Sequence, residues 1–377
     1  MENAVYLDHN ATTPVRPEAV DAAMGALALT GKPSSVHRHG RVARRIVEDA
    51  RDRVAALAGA APGDVVFTSG GSEANCLAVR GSGRTRVLVS AIEHASVLAA
   101  GDHPEIVPVD RRGQVDLEAL ETMLGADRTP ALVSVMLVNN ETGIIQPIAE
   151  VTEIALRHGA LVHCDAAQAA GKIPIDLRSL GVHMLTLSAH KMGGVPGCGA
   201  LVARSDTAPR AQIRGGGQER GRRAGSENLA GIAGFGAAAE IAAALPDVDR
   251  IAGLRDMLER AVRDRAPSAR IIGSDSPRVA NTSCISMPGV PSETQVMALD
   301  LAGVSVSAGS ACSSGKVARS HVLEAMGVDG HDADGAIRVS LGWNTSERDI
   351  KRFLDAWRTL YARLGESGEA TATAPAA

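Results

Sequence analysis

Short apolar runs punctuate the first two-thirds of the chain: "VVFTSG" (65–70), "TRVLVSAI" (85–92), "ALVSVMLVN" (131–139), "ALVHCDAA" (160–167), "HMLTLSA" (183–189) and "GALVAR" (199–204), with "EIVPVD" (105–110) as a weaker seventh. Helix-period stretches separate most of them, for example 116–124 and 148–158. Strand and helix in alternation predict an α/β fold, a sheet covered by helices on both faces. Residues 190–198 separate the last two strong runs, too few for a parallel crossover. Those two strands are therefore expected to run antiparallel, which makes the sheet mixed but mostly parallel. After about residue 248 the pattern changes: a helix over 249–265, then the strand-like runs "NTSCISM", "GVSVSAG" and "AIRVSLGW". This predicts a smaller α+β domain of residues 1–13 and 249–365 beside a large one of 14–248. The tail 366–377 has no periodicity and is expected to be disordered.

Composition narrows this only slightly. Two Trp, two Tyr and three Phe leave the core to Ala, Val, Leu and Ile. A net charge of −4 with interspersed signs argues against nucleic acid or an anionic membrane as the main partner. No run approaches the ~20 apolar residues of a membrane span, and "MENAVYLDHNATTP" lacks a signal-like core, so a cytoplasmic protein is expected. Five cysteines, with no CxxC pair, speak against disulfides or zinc. His37 and His39 in "HRHG" are expected in a solvated turn, not at a metal.

The chemistry sits just past the strand ends, where open α/β sheets bind ligands. After 65–70 come Gly71 and Ser72, glycine and hydroxyl at a predicted helix start and so a seat for phosphate. After 85–92 come Glu93 and His94, and after 131–139 come Asn140 and Glu141. Asp165 and Gln168 follow one run, and Ser188, His190 and Lys191 another. A phosphate seat, an imidazole, a carboxylate and a lysine together fit pyridoxal 5'-phosphate: the lysine for a Schiff base, the acid for the pyridinium nitrogen.

The order of these segments resembles the NifS/IscS family of cysteine desulfurases, in the class V aminotransferase group of fold-type I pyridoxal-phosphate enzymes. The matching segments include "YLDHNATTP" (6–14), "PSSVHRHGR" (33–41), "FTSGGSEAN" (67–75), "VNNETG" (138–143), "DAAQAAGKIPID" (165–176), "SAHKMGG" (188–194), "GGGQERGRRAGSEN" (215–228), "GSACSSG" (309–315) and "IRVSLG" (337–342). The resemblance implies that Lys191 carries the Schiff base and that His94 stacks on the ring and transfers protons. It gives the ring nitrogen to Asp165 and the phenolic oxygen to Gln168. Gly71, Ser72, Ser188 and His190 would hold the phosphate, and Asn140 would lie beside cofactor and substrate. Ser226, where relatives usually carry Thr, would reach the partner subunit's phosphate in a homodimer. Arg338 would clamp the substrate carboxylate. Lys32, Ala308 and the "GGVPGCG" turn depart from the family pattern without touching a residue given a role.

Cofactor residues alone do not choose a reaction; Cys312 does. Its surroundings, "SVSAGSACSSGK", are rich in Gly, Ser and Ala, whereas Cys76, Cys164, Cys198 and Cys284 sit in apolar or Gly-rich contexts. The resemblance implies that the Cys312 thiolate takes sulfur from L-cysteine as a persulfide, leaves alanine, and passes the sulfur to an acceptor or iron–sulfur scaffold protein. Selenocysteine lyase, another class V activity and a catalytically silent scaffold remain the alternatives.

Overall fold

The computed structural model describes residues 4–309 and 319–365. Thirteen strands form among them: β1 (Val5–Tyr6), β2 (Val65–Thr68), β3 (Arg86–Ser90), β4 (Glu105–Val107), β5 (Ala131–Ser134), β6 (Leu161–Asp165), β7 (Met184–Ser188), β8 (Gly199–Ala203), β9 (Arg270–Ile272), β10 (Thr282–Ser286), β11 (Val304–Ser305), β12 (Ser307–Ala308) and β13 (Ala336–Ser340). β2 to β8 make one seven-stranded sheet in the order β2-β8-β7-β6-β5-β3-β4. β8 runs antiparallel to both of its neighbours; the other pairings are parallel. The mixed sheet expected from the short 190–198 connection is thus present. Strand order reverses between β3 and β5, so a crevice opens at the carboxyl ends there.

The helices of this part are α1 (Pro17–Leu27), α2 (Arg38–Leu57), α3 (Gly71–Gly81), α4 (Ala95–Leu98), α5 (Leu117–Ala126), α6 (Ile148–Arg157) and α7 (Leu229–Ala243). Asp116 caps α5, its carboxylate accepting the Ala119 N–H. α7 carries Gly231, Gly234 and Gly236 on buried turns. A Cβ on Gly236 would lie 2.7 Å from Ala50 of α2, so the missing side chain lets the two helices meet closely. One apolar cluster fills the space between this sheet and its helices, with Phe67, Phe235, Leu88, Ile148 and Leu185 fully or nearly buried.

A second cluster gathers Val5 and Leu7 with residues from 251 to 361, centred on Trp357 and Phe353. Around it lie a sheet ordered β12-β13-β10-β9, the parallel pair β1-β11, and helices α8 (Val248–Arg265), α9 (Ser292–Leu301), α10 (His321–Ala325), α11 (Gly330–Asp334) and α12 (Glu347–Leu360). No single helix among the described residues is long and apolar enough to cross a membrane.

Three local expectations change. The run 131–139 is a strand only to Ser134. Beyond it Val135 and Leu137 still donate to His163 O and Asp165 O at 3.1 and 2.9 Å, and Asn139 Oδ1 then takes the N–H groups of Glu141 and Thr142 at 2.9 and 3.0 Å, so a side chain closes the turn that follows. "GVSVSAG" is not one strand: β11 pairs with β1 and β12 with β13, in different sheets. "HRHG" is not a turn but the start of α2, with His37 Nδ1 accepting the Gly40 N–H at 3.2 Å.

Candidate functional site

A cavity of about 320 Å³ opens at the carboxyl ends of the large sheet, on the crevice between β3 and β5. Gly71, Ser72, His94, Asn140, Asp165, Gln168, Ser188, His190, Lys191 and Arg338 all line it. One end of the cavity is the start of α3. Gly70, which has no side chain to cap the helix, precedes it, and Gly71 and Ser72 face the cavity. This close approach depends on glycine elsewhere too: a Cβ on Gly199 of β8 would come within 2.6 Å of the Gly70 backbone. Burial, then the neighbouring Lys191 charge, lowers His190 to about 4, so it faces the cavity as a neutral ring.

Asp165 ends β6 and is buried. Its Oδ2 accepts the Asn75 amide at 2.7 Å and its Oδ1 the Ala167 N–H at 2.9 Å, which fixes the orientation of the carboxyl group. Lys191 follows β7 on a short 3₁₀ turn, and its Nζ donates to the carbonyl oxygens of Asn10 and, at 2.9 Å, Ala11. A second amine stands close by. Lys172 Nζ donates to Gln168 Oε1 at 2.5 Å and to Asn10 Oδ1 at 2.9 Å. Burial, then the charges of Lys191 and Arg338, push the Lys172 ammonium well below its usual range. Because Gln168 Oε1 accepts from Lys172, its Nε2 is the donor; one hydrogen goes to Asn10 O at 2.9 Å.

Arg338 comes from β13, in the other sheet. Its Nη2 pairs with Asp8 Oδ1 at 2.7 Å and its Nη1 donates to Asn140 O at 3.0 Å. Among the described residues its buried Nε–H has no acceptor. A buried guanidinium with an unpaired N–H at the edge of a cavity is suited to an incoming carboxylate.

Cys312 lies outside the described residues. Gly309, three positions before it, lines the same cavity. The flanks of the segment meet at Glu141: Ser320 Oγ donates to its Oε2 at 2.5 Å, and a Cβ on Gly309 would lie 2.6 Å from that oxygen. Ser226 lines a separate cavity of about 190 Å³ with Thr68, Glu219 and Arg223, not the one that holds Lys191. Charged side chains of the segment around it are held in ion pairs. Arg51 reaches Glu219 with two bonds of 2.8 and 3.0 Å, Glu219 also takes the Phe67 N–H at 3.0 Å, and Arg223 pairs with Glu73 at 2.8 Å.

Sequence reasoning missed Asn10, Asn75, Ser96 and Lys172. Asn75 carried a signal: it is a polar residue 1 % exposed on the face of α3 that also buries Ala74 and Ala78. Asn10 and Lys172 show none in the residue pattern, because their partners come from distant segments.

The residues fit pyridoxal phosphate. One cavity offers a helix start flanked by hydroxyls, a carboxylate held by two N–H donors, a fixed amide donor, and a lysine amine. The family profile described as aminotransferase class-V matches residues 5–353. The chain is 45% identical over 366 residues to a cysteine desulfurase of Cereibacter sphaeroides, covering 93% of this chain and 94% of that one. It is 40% identical over 380 residues to the cysteine desulfurase IscS of Dictyoglomus turgidum, covering 97% and 96%. The crystal structure of a NifS-like protein from Rickettsia africae superposes with a TM-score of 0.89 at 34% identity, covering 96% of this chain and all of that one.

Proposed function

The chain belongs to the aminotransferase class-V family, and from that premise we infer that it is a pyridoxal-phosphate-dependent cysteine desulfurase, which converts L-cysteine to L-alanine and an enzyme-bound persulfide. The observation that carries this is the convergence of Lys191, Asp165, His94, Gln168 and Arg338 on one cavity. When bound, pyridoxal phosphate supplies a carbonyl for amines and an electron sink for the substrate Cα.

The chain's own residues supply the rest. Lys191 is the amine that would hold the cofactor, and once released its ε-nitrogen takes the Cα proton. Gly71, Ser72, Ser188 and His190 would hold the phosphate. Asp165 would face the ring nitrogen, where its charge keeps that nitrogen protonated. Gln168 would give its remaining amide hydrogen to the phenolic oxygen, held in that orientation by Lys172. His94 would lie against the ring. Arg338, steadied by Asp8 and the Asn140 carbonyl, would orient the substrate carboxylate. The thiolate of Cys312 would attack the substrate sulfur: an S–S bond forms, the C–S bond breaks, and the carbon fragment leaves as alanine.

The persulfide would pass to an iron–sulfur cluster assembly protein, one serving nitrogenase among them, or to another thiolation acceptor; the likeness to a cysteine desulfurase IscS supports the first. A homodimer is supported by two features. Ser226 stands outside its own chain's Lys191 cavity, and α1 exposes Val20, Met24 and Leu27 at helical spacing. Free Cys76, Cys164, Cys198 and Cys284 fit a reducing cytoplasm. The two apolar clusters support a two-domain division near 13 and 248.

Purified protein loaded with pyridoxal phosphate should release sulfide and alanine in equal amounts from L-cysteine with dithiothreitol. Absence of alanine would overturn the assignment.

A further inference from the structure

His94 reaches the cavity with a second layer of side chains behind it that none of the roles above uses. Asn75, on α3, places its Nδ2 2.7 Å from Asp165 Oδ2 and 2.9 Å from Ser96 Oγ. Ser96 Oγ lies 2.8 Å from His94 Nδ1, and the Ser96 backbone N–H donates to the same ring nitrogen at 3.1 Å. Two side chains, Asn75 and Ser96, thus link the carboxylate to the imidazole.

The direction of each hydrogen follows from chemistry. An ionised carboxylate only accepts, so the nitrogen of the Asn75 amide must face Asp165. An amide nitrogen has two hydrogens, and the second points to Ser96. The opposite orientation would set Asn75 Oδ1 against the carboxylate oxygen. The adopted one leaves that Oδ1 buried with no donor among the described residues, so the contact with Asp165 outweighs a real penalty. Ser96 Oγ, already accepting from Asn75, has a single hydrogen, and the acceptor in its reach is His94 Nδ1. That nitrogen then receives two donors, an O–H and an N–H, and must present its lone pair. The ring hydrogen of neutral His94 is left on Nε2.

We propose that Asn75 is a positioning residue which, held by Asp165, turns the Ser96 hydroxyl toward His94 Nδ1 and so fixes His94 as the neutral Nε2–H tautomer. Neutral His94 in that form has no basic lone pair on Nε2, and its Nδ1 is engaged. It enters the cavity as a hydrogen-bond donor, and the removal of the Cα proton falls to Lys191 alone. That consequence rests on the function proposed above; the tautomer itself is read without turnover.

The test is two-bond ¹H–¹⁵N correlation spectroscopy on the holoprotein labelled with ¹⁵N-histidine, the His94 signals being assigned by their loss in His94→Gln. The parent should show a protonated Nε2 and a bare Nδ1 on His94. In Asn75→Asp the new carboxyl group shares one proton with Asp165 and turns its other oxygen to the Ser96 hydrogen, so a proton should appear on Nδ1. Ser96→Ala keeps only the backbone donor and should show a smaller Nδ1–H share. A parent whose His94 carries its proton on Nδ1 overturns the proposal, whether or not the variants fold. So does an Asn75→Asp protein whose His94 spectrum matches the parent. Sulfide release from L-cysteine, measured separately, decides the function.

Discussion

Arg338→Met removes the one guanidinium that lines the cavity among the described residues and keeps an unbranched apolar stem. Asp8 and Asn140 already take one N–H each, which leaves the second hydrogens of Nη1 and Nη2 for the substrate. A hydrogen bond to a charged group contributes about 1.5–3 kcal/mol. With about 1.4 kcal/mol per tenfold, losing one such bond should lower kcat/KM for L-cysteine by roughly 10- to 150-fold. A second bond would deepen the loss. Most of it should appear as a raised KM, since the carboxylate is bound in ground and transition states alike. Arg338→Lys keeps the charge but not the fork and should fall between the two. The assay is initial-rate alanine formation over a range of L-cysteine, with cysteamine as an inhibitor. Cysteamine has the same thiol and amine without the carboxylate, so its inhibition constant should hardly change. An unchanged KM for cysteine would refute the clamp. Equal losses for cysteine and cysteamine would instead mean that Arg338 acts only by steadying Asp8.

Cys312→Ala should keep the cofactor and its colour and lose the persulfide, read by mass spectrometry after a cysteine pulse; full persulfide-dependent transfer in that variant would contradict the role given to the thiol. Lys191→Ala should bind cofactor without a covalent link, so borohydride treatment leaves no mass increment; a labelled variant would remove Lys191 from its place. Burial raises Glu93 to about 8 against the bonds from Ser90 and Met136, so it folds as the neutral acid. Its contribution is full below the unfolded carboxyl range near 4.5 and is lost, at about 1.4 kcal/mol per pH unit, as pH rises toward 8. Glu93→Gln should therefore gain stability over the parent in thermal melts as pH rises from 5 to 8, and parallel curves would count against this. Glu219→Gln leaves the buried Arg51 cation with only the more exposed Glu48 as counter-charge and should cost up to about 3–5 kcal/mol in denaturant unfolding; a loss under about 1 kcal/mol would show that Glu48 and water relieve the site.

The sheet was legible because its strands are buried on both faces and read as unbroken apolar runs, and the antiparallel β8 followed from connection length alone. Lys191, Asp165 and His94 were legible because polar residues directly after such runs have few structural reasons to be there. Where the assembled fold decides an element's end, the pattern misled. The apolar run continues past β5 into the Asn139 turn, and nothing in it announces where the strand stops. The division of 303–309 between two sheets depends on where β1 and β13 arrive, which is a property of the assembled fold. Asn10 and Lys172 were invisible for the same reason, since the bond between them spans 162 positions. Asn75 could have been found by asking why α3 buries an amide.

Asn10 lies beneath Lys191, yet its own side chain is held by Thr282 and Asn281, and its neighbour Asp8 by Arg338. A ribosome adding about 5–20 residues each second reaches Arg338 on the order of half a minute after Asp8. Throughout that interval the leading segment can meet Gln168, Lys172 and Lys191 but lacks the rest of its seat, while the large sheet has everything it needs to assemble. The floor under the lysine is therefore among the last parts of the molecule to close, and the nascent chain can take up its vitamin-derived coenzyme in the finished geometry only when synthesis is nearly over.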